Sequence, residues 1–282
     1  MKNNTRDRYR GALLGLLIGD ILATRDGQEC KQSVSNFGLD AVVATSLGEH
    51  LVGRAGTLAG DDLLCDWNDV GTRLGVPLAQ RNPLVTVAPA VMARLDPSFA
   101  MLLAREQCAL THSQVEAVSA CELFAAYLWR ALNEDGDKVS VVAPPRYTHI
   151  AYNSHLMAIA CGSFRFVVGE DATQTEGERS IEGALECAMM AFWRGYDFAG
   201  AVSAALAYGR DVAAITGQIA GAFYGASAIS DAWMRVLPKR CKFEALADRL
   251  HDFAYPPALS RSLVMSAIGR KPVSLRTKTI FA

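Results

Sequence analysis

The sequence predicts a mainly α-helical protein built as one large domain, and three observations carry that expectation. Apolar residues recur at helical spacing behind side chains suited to helix starts, alternating strand patterns are scarce, and two apolar segments place glycine at every fourth position. With 282 residues, 51% hydrophobic and 20% charged, the chain carries enough apolar surface for one substantial core.

The first element is "RYRGALLGLLIGDIL", Arg8 to Leu22, with Gly11, Gly15 and Gly19 on one helix face and Asp20 at its end. Its apolar run from Gly11 to Ile18 is far shorter than the ~20 residues a bilayer span needs. A leading region containing Asp7, with no small-x-small pattern after Asp20, also argues against a secretory leader, so a cytoplasmic protein is expected. "GDDLLCDWNDVG" follows as a helix whose Asp61 and Asp62 suit the positive N-terminus. Asp62, Asp66 and Asp69 share a face, which reads as solvated and acidic in preference to a metal site.

"SQVEAVSACELFAAYLWRAL" carries Val115, Val118, Leu123, Tyr127 and Leu128 near a 3.6 period, and Ser113 stands three residues before Glu116 as a capping box. "SIEGALECAMMAFWRG" repeats this logic, with Ser180 as N-cap and Ile181, Leu185, Met189 and Phe192 as the apolar stripe. "DFAGAVSAALAYG" and "FEALADRLHDFA" read as further helices, and "KVSVVA" and "SFRFVVG" are the short strand candidates.

"ITGQIAGAFYG" places Gly217, Gly221 and Gly225 at the spacing of the first helix. Each interior glycine costs ~1 kcal/mol against alanine, so two such helices need a compensation. Close approach of backbones supplies it, which makes both segments central and packed on each other in the simplest arrangement. Beyond them, "YPPALSRSLVMSAIGRKPVSLRTKTIFA" ends a helix with two prolines and then places five basic residues and no acid between Arg261 and Lys278. The chain is therefore divided into a helical domain, 1–255, and a basic tail, 256–282. The tail is expected to drape on the surface or make a subunit contact, a homo-oligomer included.

A formal net charge of −1 gives no electrostatic reason to expect nucleic acid or an anionic membrane as partner. Seven dispersed cysteines without a C-x-x-C pattern read as reduced and mostly buried thiols. His112 in "LTHS" reads as a turn residue, and His149 and His155, six apart, share no helix face for a metal.

Taken together, "RYRGALLGLLIGDIL", "VAPAVM" with "AREQCALTHSQVEAVSACELFAAYL", and "AAITGQIAGAFYGASAISDAW" resemble the ADP-ribosylglycohydrolase family over nearly the whole chain. The resemblance implies an all-α orthogonal multi-helix bundle whose cleft holds two Mg²⁺ ions that bind ADP-ribose and polarise its reacting ring and water. In that family an early "TDDT" and a late "DTDT" element supply the oxygen ligands such hard cations demand.

At the matching positions this chain reads Gly38, Leu39, Asp40 and Ala41, and then, without gaps, Tyr208, Gly209, Arg210 and Asp211. With the next three family residues deleted, Asp211 stands instead for the first family aspartate, and either way the resemblance implies one surviving acid in each element. The family's "GNG...MR" loop reads "QRNPLVT", with Thr86 at the arginine position, and an early acid falls at Gly27, between Asp26 and Glu29. Asp20, Asp40 and Asp211 are thus the candidate ligand-binding or residual metal residues, with Thr45 or water to complete the set, while Asn82 and Arg210 flank the cleft. Metal at Asp40 and Asp211 is expected to be weak or absent, Arg210 competing electrostatically with a divalent ion. The resemblance favours Asp20 orienting a ligand loop over capping a neighbouring helix.

The resulting expectation is a pseudoenzyme that needs no cofactor and binds an ADP-ribose-like molecule or a protein partner, its catalytic residues unassigned. The alternatives are an active hydrolase with a rearranged or single Mg²⁺ site, and an assembly protein acting through its tail.

Overall fold

The computed structural model describes residues 5–23, 38–74, 81–145, 153–166 and 180–256. In chain order the helices are α1 (Thr5–Leu22), α2 (Leu39–Gly53), α3 (Gly60–Leu74), α4 (Val87–Met92), α5 (Pro97–Ala109), α6 (Val115–Asn133) and α7 (Lys138–Val141). Then come α8 (Ser154–Ala160), α9 (Ile181–Arg194), α10 (Phe198–Leu206), α11 (Arg210–Tyr224), α12 (Asp231–Val236) and α13 (Arg240–Ala254). Short 3-10 turns at Pro83–Thr86, Ser163–Arg165 and Ala226–Ala228 join some of them, and no strand forms among the described residues.

The glycine spacing does what it predicts. α1 and α11 pack antiparallel as the central pair of the bundle, with Gly11 against Gly221, Gly15 against Gly217 and Gly19 against Ala213. A β-carbon on Gly15 would lie 2.0 Å from the carbonyl oxygen of Gly217, and one on Gly217 equally close to that of Gly15. Backbone meets backbone along this seam, so dispersion contacts accumulate over both helices and offset the propensity lost at each glycine. Gly225 serves another purpose, ending α11 at φ 84°, a conformation that disfavours side chains.

Around this pair the remaining helices close one core, whose largest fully buried side chains include Tyr9, Phe124, Tyr127, Phe164, Phe192 and Phe198. α6 lies against α4, α5, α9 and α11, and α13 covers the outer face of α1. Several helices start on side-chain caps, among them Ser180, whose hydroxyl accepts the Gly183 amide at 3.1 Å, as the sequence predicts.

Three local expectations fail. α6 begins at Val115 behind Gln114 with no side-chain cap, so Ser113 lies one residue too early for a capping box. Burial of Ala117, Ala120, Cys121 and Phe124 sets the helix register there. "KVSV" is a single helical turn capped by Asp137, because that shape buries Val141 while sending the Lys138 ammonium to the carbonyl of Phe192 at 2.6 Å. Of the other strand candidate, Ser163–Arg165 forms a 3-10 turn and residues 167–169 lie outside the described residues. Among the described cysteines only Cys108 and Cys121 are buried; Cys65, Cys161 and Cys241 are exposed.

Two buried amides then hold the segment that leads to the site. Gln218 of α11 accepts the Ala88 amide at 2.9 Å and donates to Leu84 O at 3.2 Å. Gln107 of α5 donates to Ala104 O at 3.1 Å and lies 2.7 Å from the Thr86 hydroxyl. These bonds anchor the 3-10 turn from inside the core, which holds the preceding residues, Arg81 and Asn82, in place.

Candidate site at the junction of α1, α2 and α11

The seam between α1 and α11 delivers the end of α1 to the start of α11, and there the chain gathers its buried acids. Asp20 is fully buried, and its Oδ2 accepts the Ala41 amide of α2 at 2.8 Å. Gly38 permits this: a β-carbon on it would stand 1.9 Å from the Asp20 carboxylate. Asp20 therefore caps a neighbouring helix, the role that the resemblance disfavours. Asp26, Gly27 and Glu29 lie outside the described residues.

Asp40, in the first turn of α2, is 2% exposed, and Arg81 grips its Oδ1 through Nε at 2.8 Å and through Nη2. Next in sequence, Asn82 donates from Nδ2 to Asp211 Oδ2 at 2.9 Å, while its own Oδ1 accepts the Leu84 amide at 3.1 Å. Asp211 Oδ1 accepts the Val212 amide at 2.8 Å. Arg210 places its Nε 3.9 Å from Asp20 Oδ1 and 3.9 Å from Asp40 Oδ2. The consecutive residues Arg81 and Asn82 thus tie together the acids of α2 and α11, and the two guanidinium groups lie against two buried carboxylates.

The structure brings together Asp20, Asp40, Asn82, Arg210 and Asp211. Arg81, which sequence reasoning did not single out, completes them. The signal for it was electrostatic: two acids on apolar segments facing one cleft require more positive charge than Arg210 supplies. Thr45 spends its hydroxyl within α2, donating to Ala41 O. Thr86 is buried with its hydroxyl 2.8 Å from Pro83 O, a structural component of the turn. Beside Arg81 and Asn82 a recess of about 20 Å³ is walled by Val43, Trp67 and Thr111, room for about one water.

Other candidates stand elsewhere. Asp61, Asp62, Asp66 and Asp69 lie on the exposed side of α3 while Leu63 and Trp67 face inward. His112 closes the turn after α5 through its amide to Cys108 O at 2.9 Å, and burial lowers its imidazole's proton affinity. His155 lies 3.0 Å from Glu186 on α9, and His149 is outside the described residues. Among the described residues no group of three or more His, Cys, Asp or Glu side chains is disposed to hold a metal ion.

Burial pushes the Asp20 carboxyl up to about 7, helped by the charge of Asp40 and opposed by the Ala41 amide, Arg210 and Arg81. A carboxyl that holds its proton more tightly folded than unfolded stabilises the fold fully below its ordinary value of 3.8, and that contribution is lost as pH rises through about 7. Asp20→Asn keeps a carbonyl for the Ala41 amide but cannot ionise. The stability of the natural chain minus that of the variant, measured by denaturant unfolding, should therefore fall steadily across this window and level off above it. A flat difference would remove the assignment.

The comparisons with known proteins agree with this architecture. The family model for ADP-ribosylglycohydrolase matches residues 30–258. The ADP-ribosylarginine hydrolase Tri1 of Pseudomonas putida (strain GB-1) is 29% identical over 299 residues, covering 88% of this chain and 79% of that protein. Its namesake in Serratia proteamaculans (strain 568) is 29% identical over 155 residues, or 52% of this chain and 39% of that one. A solved structure described as an ADP-ribosylglycohydrolase-related protein complex superposes with a TM-score of 0.72 at 27% identity, covering 89% of this chain and 99% of its own. No described helix is long and apolar enough to cross a membrane. A family match over most of the chain and the same all-α bundle lead to one assignment: the chain belongs to the ADP-ribosylglycohydrolase family.

Proposed function

We propose that this chain is a catalytically degenerate member of its family that binds an ADP-ribose-like ligand without a divalent metal. The observation that carries this reading is the Arg81–Asp40 pair with Arg210 beside it: guanidinium groups neutralise the buried acids from within the chain. Two Mg²⁺ ions need near-octahedral oxygen shells at short range. Here Arg81 occupies Asp40, Asn82 and the Val212 amide occupy Asp211, and the Ala41 amide occupies Asp20. An entering cation would have to strip these donors and sit beside a guanidinium, whose repulsion is strong where burial lowers the effective dielectric. The described residues do not fit the paired-metal site.

Support for the ligand class comes from family membership and from relatives named as ADP-ribosylarginine hydrolases. The arginines suit the same class, since some of each side chain reaches solvent and a planar guanidinium matches the oxygens of a diphosphate. Calorimetric titration with ADP-ribose, with and without Mg²⁺, tests the reading: binding that ignores the metal is expected. Binding that requires Mg²⁺, accompanied by turnover of ADP-ribosylated arginine that Asp40→Ala or Asp211→Ala abolishes, would replace it with an active hydrolase. Absence of binding would leave assembly through the tail as the function.

A further inference from the structure

A second concavity lies at the other end of the bundle. Arg8 near the start of α1 donates to Glu134 O at the end of α6 at 2.6 Å, and Asp20 lies twelve residues further along α1, about 18 Å away at helical rise. At the α6 end a groove of about 480 Å³ opens between α5, α6 and the segment after α7. Met101, Ala126, Trp129, Pro144 and Pro145 give it apolar walls, the exposed Glu134 adds a carboxylate, and Arg130 also lines it with its guanidinium turned to Val141 O at 3.2 Å and to Ala143 O. Leu95, 44% exposed, extends the apolar surface beside it. Leu95 is tied to the groove by the Trp129 indole, which donates to its carbonyl at 3.0 Å.

The last described residues lie beside this groove. Tyr255 donates its hydroxyl to Asn133 Oδ1 at 2.5 Å, and Asn133 Nδ2 donates to Trp129 O at 2.8 Å. At 100° per residue Asn133 falls on the same face of α6 as Ala126, Trp129 and Arg130, one turn beyond them. The 26 residues that follow Pro256 include Leu259, Leu263, Val264, Met265 and Ile268, together with five basic residues and no acid. The first 256 residues carry 23 basic and 29 acidic side chains, so tail and body are opposite in sign. A dozen extended residues reach about 40 Å, more than enough to return to a groove that begins beside the last described residues.

We propose that this groove is the docking site of the chain's own C-terminal segment, with Leu259–Ile268 supplying the apolar contact and the following basic residues meeting Glu134. The occupant follows from where the last described residues lie, from the apolar cluster that comes after them and from its charge, none of which depends on the function proposed for the other end.

The test uses the full chain. Amide hydrogen exchange should show residues 259–268 protected ~10-fold or more over an unstructured segment, and Leu263→Asp with Met265→Asp should abolish that protection and speed exchange in residues 138–145 several-fold. Glu134→Lys, an exposed change that leaves the tail intact, should weaken the same protection. Carbodiimide should join Glu134 to Lys271 or Lys278, and in an equal mixture of isotope-labelled and unlabelled chains the joined peptides should carry one label state. Unprotected tail amides, or exchange in 138–145 indifferent to the tail variants, would overturn the proposal. Mixed-label products would overturn it in favour of a second copy as the occupant.

Discussion

Gly15→Ala is expected to remove several kcal/mol of stability, more than most single substitutions. The added methyl would stand 2.0 Å from the Gly217 carbonyl oxygen, a backbone atom that cannot rotate aside, so the two central helices must separate by an ångström or more. Separation loosens contacts along the full length of α1 and α11, and forcing extra volume into a close-packed core costs ~1–3 kcal/mol even where flexible side chains give way. With only backbone to yield, about 3–5 kcal/mol is expected, a drop of roughly 10 °C in Tm for a chain of this size. Gly217→Ala should behave alike. The control is Gly53→Ala at the end of α2, where a β-carbon meets nothing within 4 Å, and the change should be neutral or stabilise by up to about 1 kcal/mol. Thermal denaturation of the three variants checks the contrast, and equal Tm values would refute a backbone-to-backbone seam.

The second large effect is expected at Arg81. Arg81→Ala leaves Asp40, 2% exposed, without the fork that holds its Oδ1, and removal of one partner from a buried ion pair costs about 3–5 kcal/mol. Arg210 at 3.9 Å supplies charge but not that hydrogen-bond geometry, so its compensation is partial. Arg81→Lys should rescue little, because an ammonium cannot reproduce the paired Nε and Nη2 contacts. If the guanidinium stands in for a metal, millimolar Mg²⁺ should raise the Tm of Arg81→Ala while leaving that of the natural chain unchanged. Equal responses of the two proteins would separate the structural role of Arg81 from the proposed metal replacement.

Much of the architecture was legible before any coordinates. Gly11, Gly15 and Gly19 matched to Gly217 and Gly221 identified the central pair, since only close helix packing repays such glycines. Ser180 announced its helix because a cap acts within one turn. The site was half legible. Asp20, Asp40, Asn82, Arg210 and Asp211 could be singled out by likeness to an acidic pattern, but what each does was not written beside it. Arg81 sat unnoticed in "QRNP", and Asp20 caps a helix that starts 19 residues later in the chain. Ser113 and "KVSVVA" misled for a related reason: their local patterns are sound, and burial elsewhere overrode them.

The amino-acid sequence by itself determined the helical class and the glycine-lined central seam. Those properties follow from spacing along the chain, which is local and periodic. Tertiary structure alone decided that Arg81 would grip Asp40, that Asn82 would hold Asp211, and that Gly38 would admit the Asp20 carboxylate to the start of α2. Such partnerships join residues tens to more than a hundred positions apart, and they form because burying a charge in a low-dielectric core is tolerable only when an opposite charge or a hydrogen-bond donor is brought to it.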